Sequence, residues 1–418
     1  MSDDTVHRSI ETVWRIESPK VIAALTRKVG DVGLAEDLAQ EALLAALEQW
    51  PRDGVPQNPG GWLTAVAKRK AIDLWRREGR FAEREGEITR DLEGQQEQEA
   101  ESIDARLDDP VGDDLLGLIF MSCHPVLAVE ARVALTLRLL GGLATPEIAR
   151  AFLVPEPTLA QRIVRAKRTL SEARVPFEVP RGEALHERLP SVLEVIYLIF
   201  NEGYAATAGD DLTRPGLCDE AMRLGRVLVG LMPGESEVHG LIALMELQAS
   251  RLQARVSPSG APVLLLDQDR SRWDFLLVRR GLAALDEAVR LGAPLGPYTL
   301  QAAIAACHAR ARTAGETDWA QIAALYDALA QVSPSPVVEL NQAVAIGMAF
   351  GPAAGLEAVD RLMEEKVLQT YHLLPAVRGD LLAKLGRTEE ARTEFARAAS
   401  LTSNVQERKL LLERAAHA

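Results

Sequence analysis

Cysteine is scarce here, and its spacing excludes two kinds of architecture. The 3 cysteines, Cys123, Cys218 and Cys307, are odd in number and far apart. A disulfide framework needs pairs, and a zinc knuckle needs closely spaced thiols. Cys123-His124 and Cys307-His308 are adjacent pairs whose side chains diverge by about 100° on a helix, so buried packing is their expected role. No metal and no cofactor is expected. Aromatic residues make up only 5%. No uninterrupted apolar run of about 18 residues occurs, so no membrane partner or span is expected. The opening Met1-Ser2-Asp3-Asp4 lacks the basic-then-apolar profile of an export signal, which points to a reduced, cytoplasmic protein. A phosphate-cradling glycine loop, a His-Glu-x-x-His pair and a nucleophile elbow are all missing, so an enzyme is not expected.

A positive balance is missing too. The formal net charge is −13, so the molecule as a whole is repelled by nucleic acid. Any DNA binding must use local basic patches or a larger complex. What is present is helix-forming text. Ala, Leu, Arg and Glu dominate, hydrophobic residues reach 47% and charged residues 26%. Such side chains lose little rotamer freedom in a helix, and the expected fold is all-α. Four stretches emerge: a helical head (1–80) ending in basic residues, a polar bridge (81–114), a second helical head (115–175) and a long helical remainder (180–418). From Glu83 to Asp114 the bridge carries 13 acids and 3 bases, which suits a flexible linker. It is either a solvated spacer or a tether that sits in a channel normally carrying nucleic acid.

In the first head, Ala39, Leu43, Ala46 and Trp50 recur at helical spacing and predict a buried stripe. Asp37, Glu41 and Glu48, with Gln40 beside them, occupy another face that a protein partner could grip. Asn58-Pro59-Gly60-Gly61 predicts a turn, and Trp62 opens the next helix. Its apolar face is Leu63, Ala67, Ala71 and Leu74. Arg69, Asp73, Arg76, Arg77 and Arg80 form another face, flanked by Lys68 and Lys70. Cations neutralise phosphates, and Trp62 and Trp75 would stack on unpaired bases, a combination that suits single-stranded DNA.

The second head carries the more specific pattern. Thr145-Pro146-Glu147 reads as an N-cap, a proline at the first helical position and an acid in the first turn. After Leu153-Val154-Pro155-Glu156-Pro157 a second helix runs from Thr158 to Arg168. Leu159, Ile163, Ala166 and Leu170 would face inward, and Thr158, Gln161, Arg162, Arg165 and Arg168 outward. Two short helices with Gln and Arg at the start of the second predict a helix-turn-helix. Gln can read adenine and Arg guanine in the major groove.

The remainder predicts stacked α-hairpins. Its clearest unit is Leu382-Ala383-Lys384-Leu385-Gly386-Arg387, then Glu390-Ala391, Phe395 and Ala398, a tetratricopeptide-like spacing. Trp319–Leu329 and Val337–Met348, joined by Ser333-Pro334-Ser335-Pro336, predict a second hairpin. Asp267, Asp269 and Asp274 lie beside Arg270 and Arg272; internal ion pairing is expected there, with a metal or ligand as the alternative.

Asp37-Leu38-Ala39-Gln40-Glu41-Ala42-Leu43, Asn58-Pro59-Gly60-Gly61-Trp62-Leu63 and Ala71-Ile72-Asp73-Leu74-Trp75-Arg76-Arg77 resemble the first domain of the extracytoplasmic-function sigma factors, a branch of the sigma-70 family. The run from Ala131 through Arg168 resembles their second domain. Asn201-Glu202-Gly203-Tyr204, Leu266–Trp273 and Gly296–Gln301 resemble a subgroup with a long tetratricopeptide-like extension. The sequence departs from the family at Lys68-Arg69-Lys70, where arginine is the more usual residue.

The resemblance implies an alternative sigma factor whose partners are bacterial core RNA polymerase and promoter DNA. It implies that Asp37, Gln40 and Glu41 contact the polymerase clamp helices. The helix bearing Trp62, Lys68, Arg69, Lys70, Asp73, Arg76 and Arg77 would serve the −10 element, and the helix bearing Thr158, Gln161, Arg162, Arg165 and Arg168 the −35 element. The acidic linker would thread the RNA path. The extension is expected to be regulatory, through an intramolecular contact or a partner protein. The competing reading is a helix-turn-helix regulator whose helical array senses a ligand or peptide.

Overall fold

Helices carry most of the described residues, as the Ala- and Leu-rich text predicts. The computed structural model describes residues 3–78, 110–152, 154–206, 208–209, 211–257, 261–292 and 294–417. They fall into two compact units, Met1–Val195 and Ile196–Ala418.

The first unit opens with three helices that pack on one another, α1 (Asp3–Val29), α2 (Val32–Asp53) and α3 (Pro59–Glu78). Gly30, at φ +73°, turns the chain between α1 and α2, a conformation that costs glycine little. The carboxylate of Asp31 then caps α2 by accepting from the Leu34 amide (2.9 Å). Asn58 Oδ1 likewise accepts from Gly61 N (2.9 Å) at the start of α3. Ala35, Ala39, Ala42 and Ala46 are buried along α2. Opposite them α3 buries Leu63, Ala67, Ala71 and Trp75. The alanines on both helices permit close packing.

Most of the acidic stretch expected between the heads, residues 79–109, lies outside the described residues. Its last part does not: helix α4 (Pro110–Ser122) begins within it, and Asp114 is buried and paired with Arg27 at 3.3 Å. Then come α5 (Val129–Leu139), α6 (Thr145–Ala151), α7 (Glu156–Glu172) and α8 (Glu183–Tyr204). Leu135, Leu137, Leu139 and Ile148 are fully buried in this second head.

The second unit is a succession of α-hairpins: α9 (Pro215–Leu231), α10 (Ser236–Ala249), α11 (Phe275–Arg290), α12 (Pro297–Arg310), α13 (Trp319–Val332), α14 (Pro336–Phe350), α15 (Pro352–Arg361), α16 (Leu373–Lys384), α17 (Thr388–Leu401) and α18 (Val405–His417). Most pack mainly on their sequence neighbours, as stacked hairpins do, while α12 packs chiefly on α10. The α16–α17 pair has the expected tetratricopeptide-like packing. Phe395, Ala391 and Ala398 are buried, and a Cβ at Gly379 would stand 3.0 Å from the Phe395 ring. Closer still, a Cβ at Gly355 would meet the Gly347 Cα at 2.7 Å, so α14 and α15 touch backbone to backbone.

The only described sheet is a parallel pair of two-residue strands that joins the beginning of this unit to its end. β1 (Ala208–Gly209) lies beside β2 (Ser403–Asn404). The buried Asn404 amide donates to the Ala206 carbonyl (3.2 Å) and the Asp211 carbonyl (3.0 Å).

The acidic and basic loop before α11 departs from expectation. Its aspartates act mainly as caps rather than as ion-pair partners. Asp269 accepts from the Ser271 amide (2.9 Å) and hydroxyl (2.7 Å), and Asp274 caps α11 through Leu276 N and Leu277 N. Arg270 donates instead to the carbonyls of His308 (2.6 Å) and Ala311 and to the Thr317 hydroxyl. A short acid with two backbone N–H groups within reach is held more firmly there than by an exposed guanidinium.

Candidate nucleic-acid interface

The second head forms the helix-turn-helix from α6 and α7. The cap of α6 sits one residue earlier than the sequence suggested. The Ala144 carbonyl accepts the first helical bonds, and Glu147 reaches back to accept from Ala144 N (2.7 Å). This is the acidic half of a capping box, with Thr145 already inside the helix. Pro157 lies in the first turn of α7, where a missing amide hydrogen costs nothing.

Helix α7 is strongly two-faced. Leu159, Ile163, Ala166 and Leu170 are buried, the four positions that periodicity predicted. Thr158, Gln161, Arg165 and Arg168 are exposed and Arg162 is half-buried. Thr158, Gln161, Arg162 and Arg165 line one groove of about 330 Å³ against the Val126–Ala131 turn. Neither Arg162 nor Arg165 has a carboxylate partner among the described residues, so both remain available to an anion. Arg168 differs: its Nε donates to Glu172 at 2.6 Å, and that exposed hydrogen bond, together with the glutamate's charge, raises its pKa. A surface pair of this kind exchanges readily for a phosphate.

The first head places its predicted residues less uniformly. On α3, Arg69, Lys70 and Asp73 are exposed, and Lys70 pairs with Glu41 of α2 at 3.1 Å. Lys68 is buried, only 6% exposed. Burial foremost, and then the charges of Lys28 and Arg27, lower its pKa. It therefore does not share the exposed cationic face. Trp75 is also buried, which removes it as a stacking platform. It continues the apolar stripe one turn beyond Ala71, where α1 and α2 cover it. Trp62 is half-buried, its ring edge-on to Trp50 at 5.3 Å. Arg76 and Arg77 belong to α3, but their side chains, like Arg80, lie outside the described residues. On α2, Asp37 and Glu41 are exposed and Gln40 is half-buried, its amide donating to Glu36 Oε1 (2.6 Å).

Glu36 is the residue that sequence reasoning missed. It is buried, and Arg138 Nε of α5 donates to it at 2.7 Å while Lys167 of α7 forms a second ion pair. Burial alone would raise its pKa. The charges and hydrogen bonds of Lys167 and Arg138 outweigh that effect, and the net shift is downward. A signal was available: Glu36 falls on the apolar stripe Val32–Ala35–Ala39 of α2. An acid there must find partners or stay protonated.

The three cysteines are buried free thiols. Burial pushes Cys123 up to about 11 and Cys218 up to about 12, so neither is a thiolate near neutrality. Among the described residues no cluster of His, Cys, Asp and Glu suits a metal ion. No helix among them is long and apolar enough to cross a membrane.

With this geometry in view, the resemblance to other proteins is consistent along the chain. Residues 14–81 match the model of sigma-70 region 2, and residues 118–170 that of sigma-70 region 4. Residues 188–289 match a family of unknown function (DUF6596). The chain is 45% identical over 390 residues to an uncharacterized protein of Rhizobium meliloti (strain 1021), covering 93% of this chain and 91% of that one. It is 27% identical over 230 residues to the probable ECF RNA polymerase sigma factor SigI of Mycobacterium tuberculosis, covering 54% and 74% respectively.

Proposed function

The chain belongs to the extracytoplasmic-function branch of the sigma-70 family, and we propose that its two heads divide promoter recognition between them. It is an alternative RNA polymerase sigma factor, with core polymerase and promoter DNA as its partners. It acts in the cytoplasm, by binding rather than by catalysis. Residues 115–175 read the −35 element through Gln161, Arg162 and Arg165 in the major groove, with Thr158 and Arg168 on the flanking phosphates. Residues 1–80 serve the −10 element through Trp62, Arg69, Lys70, Asp73, Arg76 and Arg77. Asp37, Gln40 and Glu41 contact polymerase. The acidic stretch 81–114 follows the RNA path, and residues 180–418 regulate the heads.

The observation that carries this reading is the groove on α7, where Gln161, Arg162 and Arg165 stand together, with no carboxylate paired to the two arginines among the described residues. The net charge of −13 fits as well: free sigma binds DNA poorly, and polymerase supplies the missing affinity. The test is run-off transcription from a genomic promoter library with purified core polymerase. New transcripts should depend on this protein and disappear with Arg162→Ala plus Arg165→Ala. No new transcripts, together with tight duplex binding in the absence of polymerase, would replace this reading with that of a ligand-sensing regulator.

A further inference from the structure

The second unit holds a cavity of about 650 Å³ that no part of promoter recognition uses. It forms where the first and last elements of the array come together. Tyr204, Arg251 and Arg255 line it from one end of the sequence, His372, Lys384 and Arg414 from the other, and the loop Pro262–Gln268 closes a side. Its size is that of a small-ligand site.

Its charges are sorted. Of the three acids that line it, Asp267 is exposed toward solvent, while Asp380 and Glu407 are satisfied from within the protein. Asp380 pairs with Lys384 at 2.8 Å and with Arg414. Glu407 pairs with His372 at 3.3 Å and accepts from the Thr402 hydroxyl at 2.9 Å. Neither Arg251 nor Arg255 forms an ion pair among the described residues, although the Arg255 charge acts on Glu407. They lie instead against aromatic faces: Arg255 stands 3.8 Å from the centroid of the Tyr204 ring, and Arg251 stands 5.9 Å from both Tyr204 and Trp273. A guanidinium over a ring retains its in-plane N–H donors. The Nε of Arg255 is buried with no acceptor.

A second orphan sits nearby. Gln268 is 8% exposed; its amide nitrogen donates to the Val263 carbonyl (3.3 Å), while its oxygen has no donor. Buried polar atoms without partners are uncommon, and both of these belong to residues that line the cavity. Apart from Asp267, the rest of the lining is apolar. Val377, Leu381 and Leu411 contribute, and Leu264 and Leu266 stay 43% and 39% exposed despite their size.

We propose that this cavity binds a small organic acid with an apolar body. Its carboxylate would be held by Arg251 and Arg255 and its hydrocarbon by the leucines. Because the lining comes from both ends of the array, occupancy reports on whether those ends are joined. The inference concerns the second unit alone and does not depend on how the heads bind DNA.

The test uses the full chain and two probes, 8-anilinonaphthalene-1-sulfonate and decanoate below its micellar concentration. The fluorescent sulfonate should bind at one saturable site and be displaced by decanoate but not by decan-1-ol. Arg255→Gln should weaken both probes by about tenfold or more with unchanged circular dichroism. If that variant fails to fold, Leu264→Asp at the exposed rim offers an independent check, since an added carboxylate should repel either anion. Non-saturable binding, equal displacement by decanol, or full affinity in whichever of the two variants folds would overturn the assignment.

Discussion

Glu36 on α2 and Lys167 on α7 form an ion pair between two helices that belong to different heads, and Arg138 on α5 completes it from the side. Gly33, one turn before Glu36, lies beside the Lys167 stem: a Cβ there would stand in ordinary contact with the lysine Cδ, at 3.6 Å. This contact neighbours Asp37 and Gln40, on the helix assigned to polymerase. On the proposal that the two heads read separate promoter elements, the pair is expected to break when both engage.

Glu36→Ala should therefore loosen the heads. Removing one member of a buried pair strands the others, at a cost on the order of 3 kcal/mol. Spin labels at the exposed positions Glu48 and Glu172 should show a longer, broader distance distribution in the variant. An unchanged distribution would remove the pair from any role in holding the heads. The wild-type contact should also fade in acid. The carboxylate's pKa lies below its ordinary 4.5, so the stability it adds is complete above 4.5 and is lost as the pH falls through the lower folded value.

Lys68 and Arg69 are sequence neighbours with different fates. Arg69→Ala removes an exposed cation and should lower the salt slope of promoter binding by about one. Lys68→Met alters a buried position and should leave that slope unchanged. Salt titration of polymerase-dependent promoter binding separates the two. A matching drop for Lys68→Met would place its ammonium on the DNA after all.

His308 predicts a pH window for the second unit. It is buried against Trp319, with ring centroids 5.1 Å apart. Burial, then the charges of Arg251 and Arg270, push its pKa down to about 4. The unfolded chain binds a proton near 6.5 and the folded chain only near 4, so stability should fall as the pH drops between those values, by up to roughly 3 kcal/mol. Chemical denaturation at pH 7.5 and pH 5 should show a smaller difference for His308→Gln than for the wild type. Equal differences would assign the acid sensitivity elsewhere.

Two glycine-to-alanine changes should have opposite signs. Gly355→Ala drives a methyl against the Gly347 backbone, which cannot yield as a side chain can, and should lower stability by about 1–3 kcal/mol. Gly230, within α9, has open space where its Cβ would be, and alanine there should add about 0.4–1 kcal/mol. Thermal unfolding of both variants decides the matter.

Local pattern carried the reading where local physics decides. The buried face of α7 follows from four apolar residues at helical spacing, and the α16–α17 pair from the alternation of small residues with Phe395. What failed depends on neighbours distant in sequence. Whether Lys68 and Trp75 face water is set by how α1 and α2 lie over α3, and periodicity within α3 does not contain that. The loop from Asp267 to Asp274 misled for another reason. Opposite charges close in sequence invite pairing, yet backbone N–H groups two residues on are nearer. Ahead of Phe275, Asp274 had the position of an N-cap and was legible as one. The cavity was not legible at all, because Arg255 and Arg414 meet only when the array has folded.

The tie between Asn404 and Ala206 spans 198 residues, and it changes how the array must behave. An open stack of hairpins can grow or fray from either end, losing one repeat at a time. A stack fastened head to tail works more like a buckled belt, in which the whole length is held or none of it. Its folding must wait for Asn404 before Ala206 can be secured, and removing residues 402–418 should loosen the entire belt rather than its final hole.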